Sequence, residues 1–186
     1  GRMPLPLESL AVWPVLSGLI FMVRSLGIAY NEVVVTLLDE PHASTMLRHF
    51  ATILISITTL LWVLLVSTPL ASVWFTRISA LSPELAQIAR LGTWLAIPLP
   101  AISVMQSWFQ GAILHSRRTG AITEAVIIYL LVSLITLFLG IVWGKVTGLY
   151  IGLSSIVLSS LAQTVWLWLR SRQALALTTP ATQSQV

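Results

Sequence analysis

Residues 121–143, AITEAVIIYLLVSLITLFLGIVW, form the stretch that decides the fold class of this chain. A transmembrane α-helix needs ~20 predominantly apolar residues, and this stretch reaches that length. Transmembrane strands instead alternate apolar and polar residues over ~10 positions, and no such alternation occurs here. The stretch therefore predicts a transmembrane α-helix.

Four further apolar stretches accompany it, at residues 9–38, 50–74, 85–114 and 147–169. Apolar residues make up 56% of the chain and charged residues 9%, whereas soluble domains are roughly a quarter charged. We therefore predict an all-α polytopic membrane helix bundle of about five transmembrane helices. The bundle occupies residues 1–172 and lies in the cell membrane as a multi-pass protein. A flexible polar tail is expected at 173–186.

The basic residues predict the orientation of the bundle. With five spans, the loops at 39–49 and 115–120 share one side with the C-terminal tail, and that side carries Arg48, Arg117, Arg118, Arg170 and Arg172. The opposite side carries the smaller set Arg2, Arg77, Lys145 and, if it lies beyond the hydrocarbon, Arg90. The positive-inside rule then places the C-terminus in the cytoplasm.

Arg24 lies near the middle of the first apolar stretch. An arginine at a bilayer centre costs ~2.5–3.5 kcal/mol even on the insertion scale, so it usually faces a bundle interior or water and has a partner. Asn31 and Glu32 follow seven and eight positions later, and we predict that they share its helical face. Two explanations remain open. The three residues line a substrate or ion path, or Arg24 is structural, paired with Glu32 or snorkelling.

The third stretch carries a proline pair and two glutamines. Pro98 and Pro100 predict a kink near residues 95–97, because proline removes a hydrogen bond and crowds the carbonyl four residues back. We treat both prolines as hinge candidates, since transporters bend at such breaks. Gln106 and Gln110 lie one turn apart on one face and are further path candidates. Interhelical hydrogen bonding is the alternative.

Other polar and aromatic residues have simpler interpretations. Glu124 opens the fourth helix, where the helix macrodipole stabilises an acid. Four small residues permit close packing of the fifth helix, namely Gly148, Gly152, Ser155 and Ser159. Three tryptophans fall too deep for an interfacial belt and are expected to pack in the bundle or line a cavity, namely Trp62, Trp94 and Trp108.

Several classes of protein are excluded by what the sequence lacks. It has no cysteine, which excludes disulfides and thiolate chemistry. His42, His49 and His115 lack metal-ligand spacing, and hydrolase and phosphate-loop motifs are absent. We therefore expect no enzyme, cofactor or metal, although Na⁺ or H⁺ as a coupling ion stays open. Basic residues are spread over the loops, which does not favour nucleic acid as a partner.

Four segments carry a family resemblance: residues 82–85 (SPEL), 97–100 (IPLP), 110–120 (QGAILHSRRTG) and 148–152 (GLYIG). They resemble the multidrug/oligosaccharidyl-lipid/polysaccharide (MOP) exporter superfamily, which includes MATE-like extruders and polysaccharide or lipid flippases. The proline pair and the Arg-Arg-Thr turn also look like the pyrophosphate-exporting, progressive-ankylosis branch. The resemblance implies two six-helix bundles with alternating access, of which this chain supplies about five helices of the C-terminal half.

The sequence thus predicts a secondary transporter or flippase half or fragment, exporting an amphipathic or anionic solute. Its expected partners are the lipid bilayer, a small-molecule or lipid-linked substrate, and either a missing N-terminal bundle or a second copy of the chain. No substrate-binding residue transfers from the resemblance. The alternative is a membrane-embedded scaffold or assembly subunit without transport activity.

Overall fold

The computed structural model describes residues 4–38, 40, 43–116 and 119–176, and all secondary structure within these ranges is helical. The elements are α1 (Pro6–Leu37), α2 (Ala43–Ser67), α3 (Leu70–Val73) continued by a π-helical segment (Trp74–Ile78), α4 (Pro83–Leu95), α5 (Leu99–His115), α6 (Gly120–Trp143) and α7 (Gly148–Ala176).

Four of these helices are long and apolar enough to cross a membrane, namely α1, α2, α6 and α7. The pair α4 and α5 bends by 43° and forms a fifth span when it is counted as one. Large apolar side chains on the outside of the bundle are widely exposed, as Phe138 of α6 shows at 66%. The prediction of an all-α, multi-pass helix bundle is confirmed.

Two predicted helices have boundaries that differ from the structure. The stretch predicted at 50–74 is helical from Ala43 to Ser67, and the apolar residues after it belong to α3 and the π-helical segment. Pro69 explains the break, because proline cannot donate a helical hydrogen bond and disfavours helical geometry in the preceding residue. At the other end of the chain, α7 continues past 169 to Ala176, into the predicted tail. Residues 177–186 of that tail lie outside the described ranges.

The kink predicted in the third stretch lies where the prolines place it, between the end of α4 and the start of α5. The Ala96 and Ile97 amides bond only three residues back, to the Thr93 and Trp94 carbonyls. The Thr93 carbonyl also accepts the indole N–H of Trp62 of α2, at 3.1 Å. Trp62, 1% exposed, therefore stabilises the broken part of the helix from a neighbouring span.

The expectation for the deep tryptophans is confirmed for two of them. Trp62 packs in the core, and Trp108, 8% exposed, lines a cavity. Trp94 is 49% exposed, so the prediction is wrong for this residue. Trp94 lies two residues before the kink, on the outer face of α4.

Helix α5 lies at the centre of the bundle and packs against α1, α2 and α7. It runs parallel to α1, because Gly27 faces Ser103 while Val34 faces Gly111 further along both helices. Buried apolar residues form two clusters, one towards each end of the bundle. The first includes Leu16, Trp62, Phe75, Ala89 and Leu153, and the second includes Tyr30, Val104, Ile113, Ala125 and Leu167.

Helix α6 packs almost entirely on α7. The two helices are antiparallel, with the Ser133 and Ser155 hydroxyls 3.0 Å apart and Gly140 against Ile151. The small residues of α7 allow this approach and that of α1, since a Cβ at Gly152 would lie 3.0 Å from the Trp13 ring. The predicted role of this stripe in close packing is confirmed.

Candidate functional site

Arg24 lies on α1 between the two apolar clusters and is half-buried. Its Nε is buried and has no hydrogen-bond partner. Tyr129 of α6 is within electrostatic range of the guanidinium. Among the described residues no ion pair joins Arg24 to Glu32. Within the described ranges, Arg24 therefore lacks the ion pair with Glu32 that one form of the structural explanation requires. Snorkelling needs no such partner.

The register of α1 against α5 fixes the direction in which Arg24 points. Gly27 faces α5, and a residue three positions earlier is turned by about 60° around the helix. Asn31 is turned by about 40° in the same direction and is also half-buried. Tyr30 is turned the opposite way, and its hydroxyl donates to the Leu47 carbonyl of α2 at 2.7 Å. Arg24 and Asn31 therefore share the side of α1 that faces away from α2.

Glu32 does not share this side. Eight helical residues add about 80° to the direction of Arg24, and Glu32 is exposed. The prediction that all three polar residues occupy one face is wrong for Glu32, because seven residues make nearly two full turns and eight overshoot them. Arg24 and Asn31 remain together.

Gln106 of α5 is 8% exposed and joins α5 to α7. Its Nε2 donates to the Ser160 carbonyl and to Gln163 Oε1, each at 3.1 Å. Gln110 lies one turn later, turned by about 40° from Gln106 towards α1, and is half-buried. The structure thus gives Gln106 the interhelical role that was its alternative explanation, and leaves Gln110 at the α1 side of the α5–α7 contact.

These residues define a central polar layer that begins between the two apolar clusters at Arg24 and extends alongside the second cluster to Asn31 and Gln110. We use this name for Arg24, Asn31, Gln106, Gln110, Tyr129 and Gln163. Four of the five residues predicted for a path are in it, and Glu32 is not. Tyr129 and Gln163 were missed, although an isolated glutamine within the apolar stretch 147–169 was a usable signal.

The two hinge candidates lie at one end of this layer. Pro98 immediately precedes α5 and Pro100 is its second residue, so both belong to the start of a helix rather than its interior. The pairing of Gly27 with Ser103 and Val104 places Arg24, three residues earlier, level with the first turn of α5. In that first turn the Leu99 and Ile102 amides donate to the Ala96 and Pro98 carbonyls and Pro100 has no N–H, so it contributes mainly the positive end of the helix dipole. A cationic side chain therefore lies level with the positive end of a helix inside the bundle.

A different charged cluster lies near the C-terminal end of α7. Glu124 Oε2 accepts from Arg170 at 2.6 Å and from the Trp166 indole at 3.2 Å. Because α6 begins at Gly120, Glu124 lies beyond its first turn, where the helix macrodipole is weak. Its specific partner is Arg170, and this partner was not visible in the sequence. The pairing of residues 46 positions apart depends on α6 packing antiparallel to α7. Four residues of the sequence argument lie outside the described ranges, namely Arg2, His42, Arg117 and Arg118.

Neither this polar layer nor the rest of the described chain brings three metal-ligating side chains together. No family model, no curated protein and no solved structure matches the chain.

Proposed function

We propose that this chain is half of a membrane transporter or flippase, and that its central polar layer lies on the path of an anionic, amphipathic solute. The observation that carries the proposal is Arg24, whose buried Nε has no partner at the level where α5 begins. Holding an arginine in a bilayer costs several kcal/mol unless a group of opposite charge or water meets it. Since Glu32 does not supply that charge, a transient anionic ligand is the economical explanation.

The start of α5 supports the same ligand chemistry. In transporters with broken helices, the N-terminal ends of half-helices point at anionic substrate groups near the bilayer midplane. The 43° break between α4 and α5 provides such an end. The Leu99 and Ile102 amides there donate to the Ala96 and Pro98 carbonyls, so its contribution beside the Arg24 charge is the positive helix dipole. Pro98 and Pro100 are then the positions about which α4 and α5 change their angle during alternating access.

The proposal requires a second half. Helix α6 packs almost only on α7, so the side of the polar layer between α1 and α6 lacks a covering helix among the described elements. A second bundle or a second copy of the chain is proposed to close it, as the resemblance to the MOP exporters implies. We further propose that the protein lies in the cell membrane with its C-terminus in the cytoplasm.

Cysteine accessibility tests the path directly. Because the chain contains no cysteine, each introduced thiol is the only one present. In proteoliposomes, Asn31→Cys and Gln110→Cys should be modified by a charged, water-soluble methanethiosulfonate reagent. Leu134 lies on the outer face of α6 and is 63% exposed. Leu134→Cys is the matched control and should stay unmodified in lipid. Protection of both test thiols, with the control also unmodified, would overturn the proposal.

An assembly or scaffold subunit is the second candidate function, and the Gln106 hydrogen bonds to α7 favour it. Glutamines that bridge helices in this way stabilise a packed bundle. In a scaffold the polar layer excludes water, so the Asn31→Cys and Gln110→Cys thiols would be unreactive in the folded protein and would react only after denaturation. The same experiment therefore separates the two functions.

A further inference from the structure

A cavity of about 420 Å³ lies between α2, α5 and α7. Its polar lining comes from Arg48, Thr52, Trp108, Trp168, Ser171 and Arg172, and we call it the basic cavity. Met105 of α5 also lines it and is turned by about 140° from Gln110. The basic cavity therefore lies on a different side of α5 from Gln110, and no residue of the central polar layer is part of its lining.

Two guanidinium groups stack on the aromatic walls of the cavity. The Arg48 Cζ lies 5.7 Å from the Trp108 ring centroid, and the Arg172 Cζ lies 4.4 Å from the Trp168 ring centroid. Cation–π stacking attracts a guanidinium through its flat face and leaves the N–H groups at its edge free to bind an anion. Both side chains are exposed, and the aromatic rings attract their cations weakly towards the cavity wall.

Nothing in the cavity lining neutralises these charges. The lining contains no carboxylate, and within the described part of the chain neither Arg48 nor Arg172 has an ion pair. By contrast, Arg170 at the same end of α7 is paired with Glu124. The basic cavity is therefore a local concentration of positive charge in an otherwise apolar groove.

The hydroxyl groups of the lining are already used. Thr52 Oγ1 donates to the Arg48 carbonyl at 3.0 Å, and Ser171 Oγ donates to the Trp168 carbonyl at 2.9 Å. The charged N–H donors of the lining belong to the two guanidinium groups, each with five. Such planar forks recognise carboxylate or phosphate oxygens through paired hydrogen bonds.

Below the charged rim the cavity becomes apolar. Ile55 lies two turns further along α2 than Arg48, about 10 Å towards the middle of the bundle, and also lines the cavity. Met105 is 40% exposed, although most of α5 around it is buried. The groove between α2 and α7 therefore leaves an apolar part of α5 uncovered beneath two cations.

We infer that the basic cavity binds the phosphate headgroup of an anionic phospholipid, with an acyl chain along Ile55 and Met105. Charge complementarity selects the headgroup, because the cavity lining holds two guanidinium groups without an ion pair among the described residues and contains no acid. The apolar floor selects a ligand that carries a hydrocarbon chain over a free anion. Basic pockets between transmembrane helices bind anionic lipid headgroups for these reasons.

Native mass spectrometry of the full chain in a non-ionic detergent tests this inference. The probes are dioleoylphosphatidylglycerol, dioleoylphosphatidylcholine with the same chains but no net charge, and inorganic phosphate. We expect phosphatidylglycerol adducts and much weaker phosphatidylcholine adducts. The double variant Arg48→Gln/Arg172→Gln should weaken phosphatidylglycerol binding at least about tenfold. The matched control Arg77→Gln/Arg90→Gln removes the same net charge from exposed positions elsewhere and should bind normally.

Three outcomes would overturn the inference: equal phosphatidylglycerol binding by the Arg48/Arg172 variant, an equal loss in the Arg77/Arg90 control, or full displacement of the lipid by inorganic phosphate. The last result would assign the site to a free anion. Size-exclusion profiles monitor folding of each variant. If the glutamine pair does not fold, Arg48→Lys/Arg172→Lys decides the question, because it keeps the charge but loses the paired hydrogen bonds and should bind less tightly than wild type.

Discussion

The approach of α1 to α5 at Gly111 gives the sharpest prediction about the bundle. An alanine Cβ at this position would lie 2.6 Å from Val34 Cγ1 and 2.7 Å from Val34 Cβ. A side-chain rotation can move the Cγ1 atom, but only a backbone shift can move the Cβ atom. The helices must therefore separate by about 0.7 Å for that contact to reach the 3.4 Å of an ordinary one.

We expect Gly111→Ala to lower the free energy of unfolding by ~1–3 kcal/mol, the usual cost of overpacking a core. For a chain of this size that corresponds to a decrease in melting temperature of roughly 2–12 °C. The measurement is thermal unfolding in detergent, followed by loss of the monodisperse size-exclusion peak. Gly18→Ala on α1 is the control, since nothing lies within 4 Å of its added Cβ, and it should not be destabilised.

A double-mutant cycle identifies the contact responsible. Val34→Gly removes both atoms that the new Cβ meets, so Gly111→Ala/Val34→Gly should be more stable than the sum of the single changes predicts. Strictly additive effects would refute the reasoning, and so would a Gly111→Ala protein as stable as wild type. Either result would mean that α1 and α5 do not approach each other here as closely as the structure has them.

Three further predictions concern the kink, the central arginine and the orientation. Trp62→Phe should destabilise the bundle by ~1–3 kcal/mol, because the Thr93 carbonyl at the break loses its indole donor and the core loses volume. Trp94→Phe, at a 49% exposed position, is the control and should be nearly neutral in the same unfolding assay. Arg24→Gln should give a normal folded yield, and adding Glu32→Gln should not change it; a low yield for Arg24→Gln that recovers in the double variant would instead demonstrate an ion pair. A single cysteine at Ser116 should resist an impermeant thiol reagent in intact cells while one at Ser79 reacts, and the reverse pattern would invert the proposed orientation.

The elements that the sequence predicted best are those set by local chemistry. The five apolar spans could be predicted because the test compares the length of an apolar run with the thickness of the bilayer, and that length is read from composition alone. The kink before α5 follows from Pro98 and Pro100, since a missing amide hydrogen breaks a helix wherever it lies. The end of the second helix was predicted at 74 instead of Ser67. The residues on both sides of Pro69 are equally apolar, so composition does not reveal the break.

The candidate site was predicted only in part, for a reason specific to membrane proteins. In a soluble helix the apolar face identifies the buried side, but here the lipid-facing and core-facing sides are both apolar. Spacing along the helix was then the only guide, and it placed Glu32 with Arg24, whereas the structure exposes Glu32 to the outside. The sequence also left open whether Gln106 lines a path or bonds to another helix. In the structure Gln106 donates a hydrogen bond to Gln163 of α7.

The sequence by itself determined that this is an all-helical, multi-pass membrane protein with a break in its third span and a charge near the middle of its first. Only the tertiary structure decided which polar groups meet. The Trp62–Thr93, Gln106–Gln163 and Glu124–Arg170 contacts join residues 31, 57 and 46 positions apart. Such pairs depend on the direction and rotation of each helix against its neighbours. Close packing of side chains around Gly27, Gly111 and Gly152 determines that direction and rotation. The apolar pattern along any one helix does not determine them.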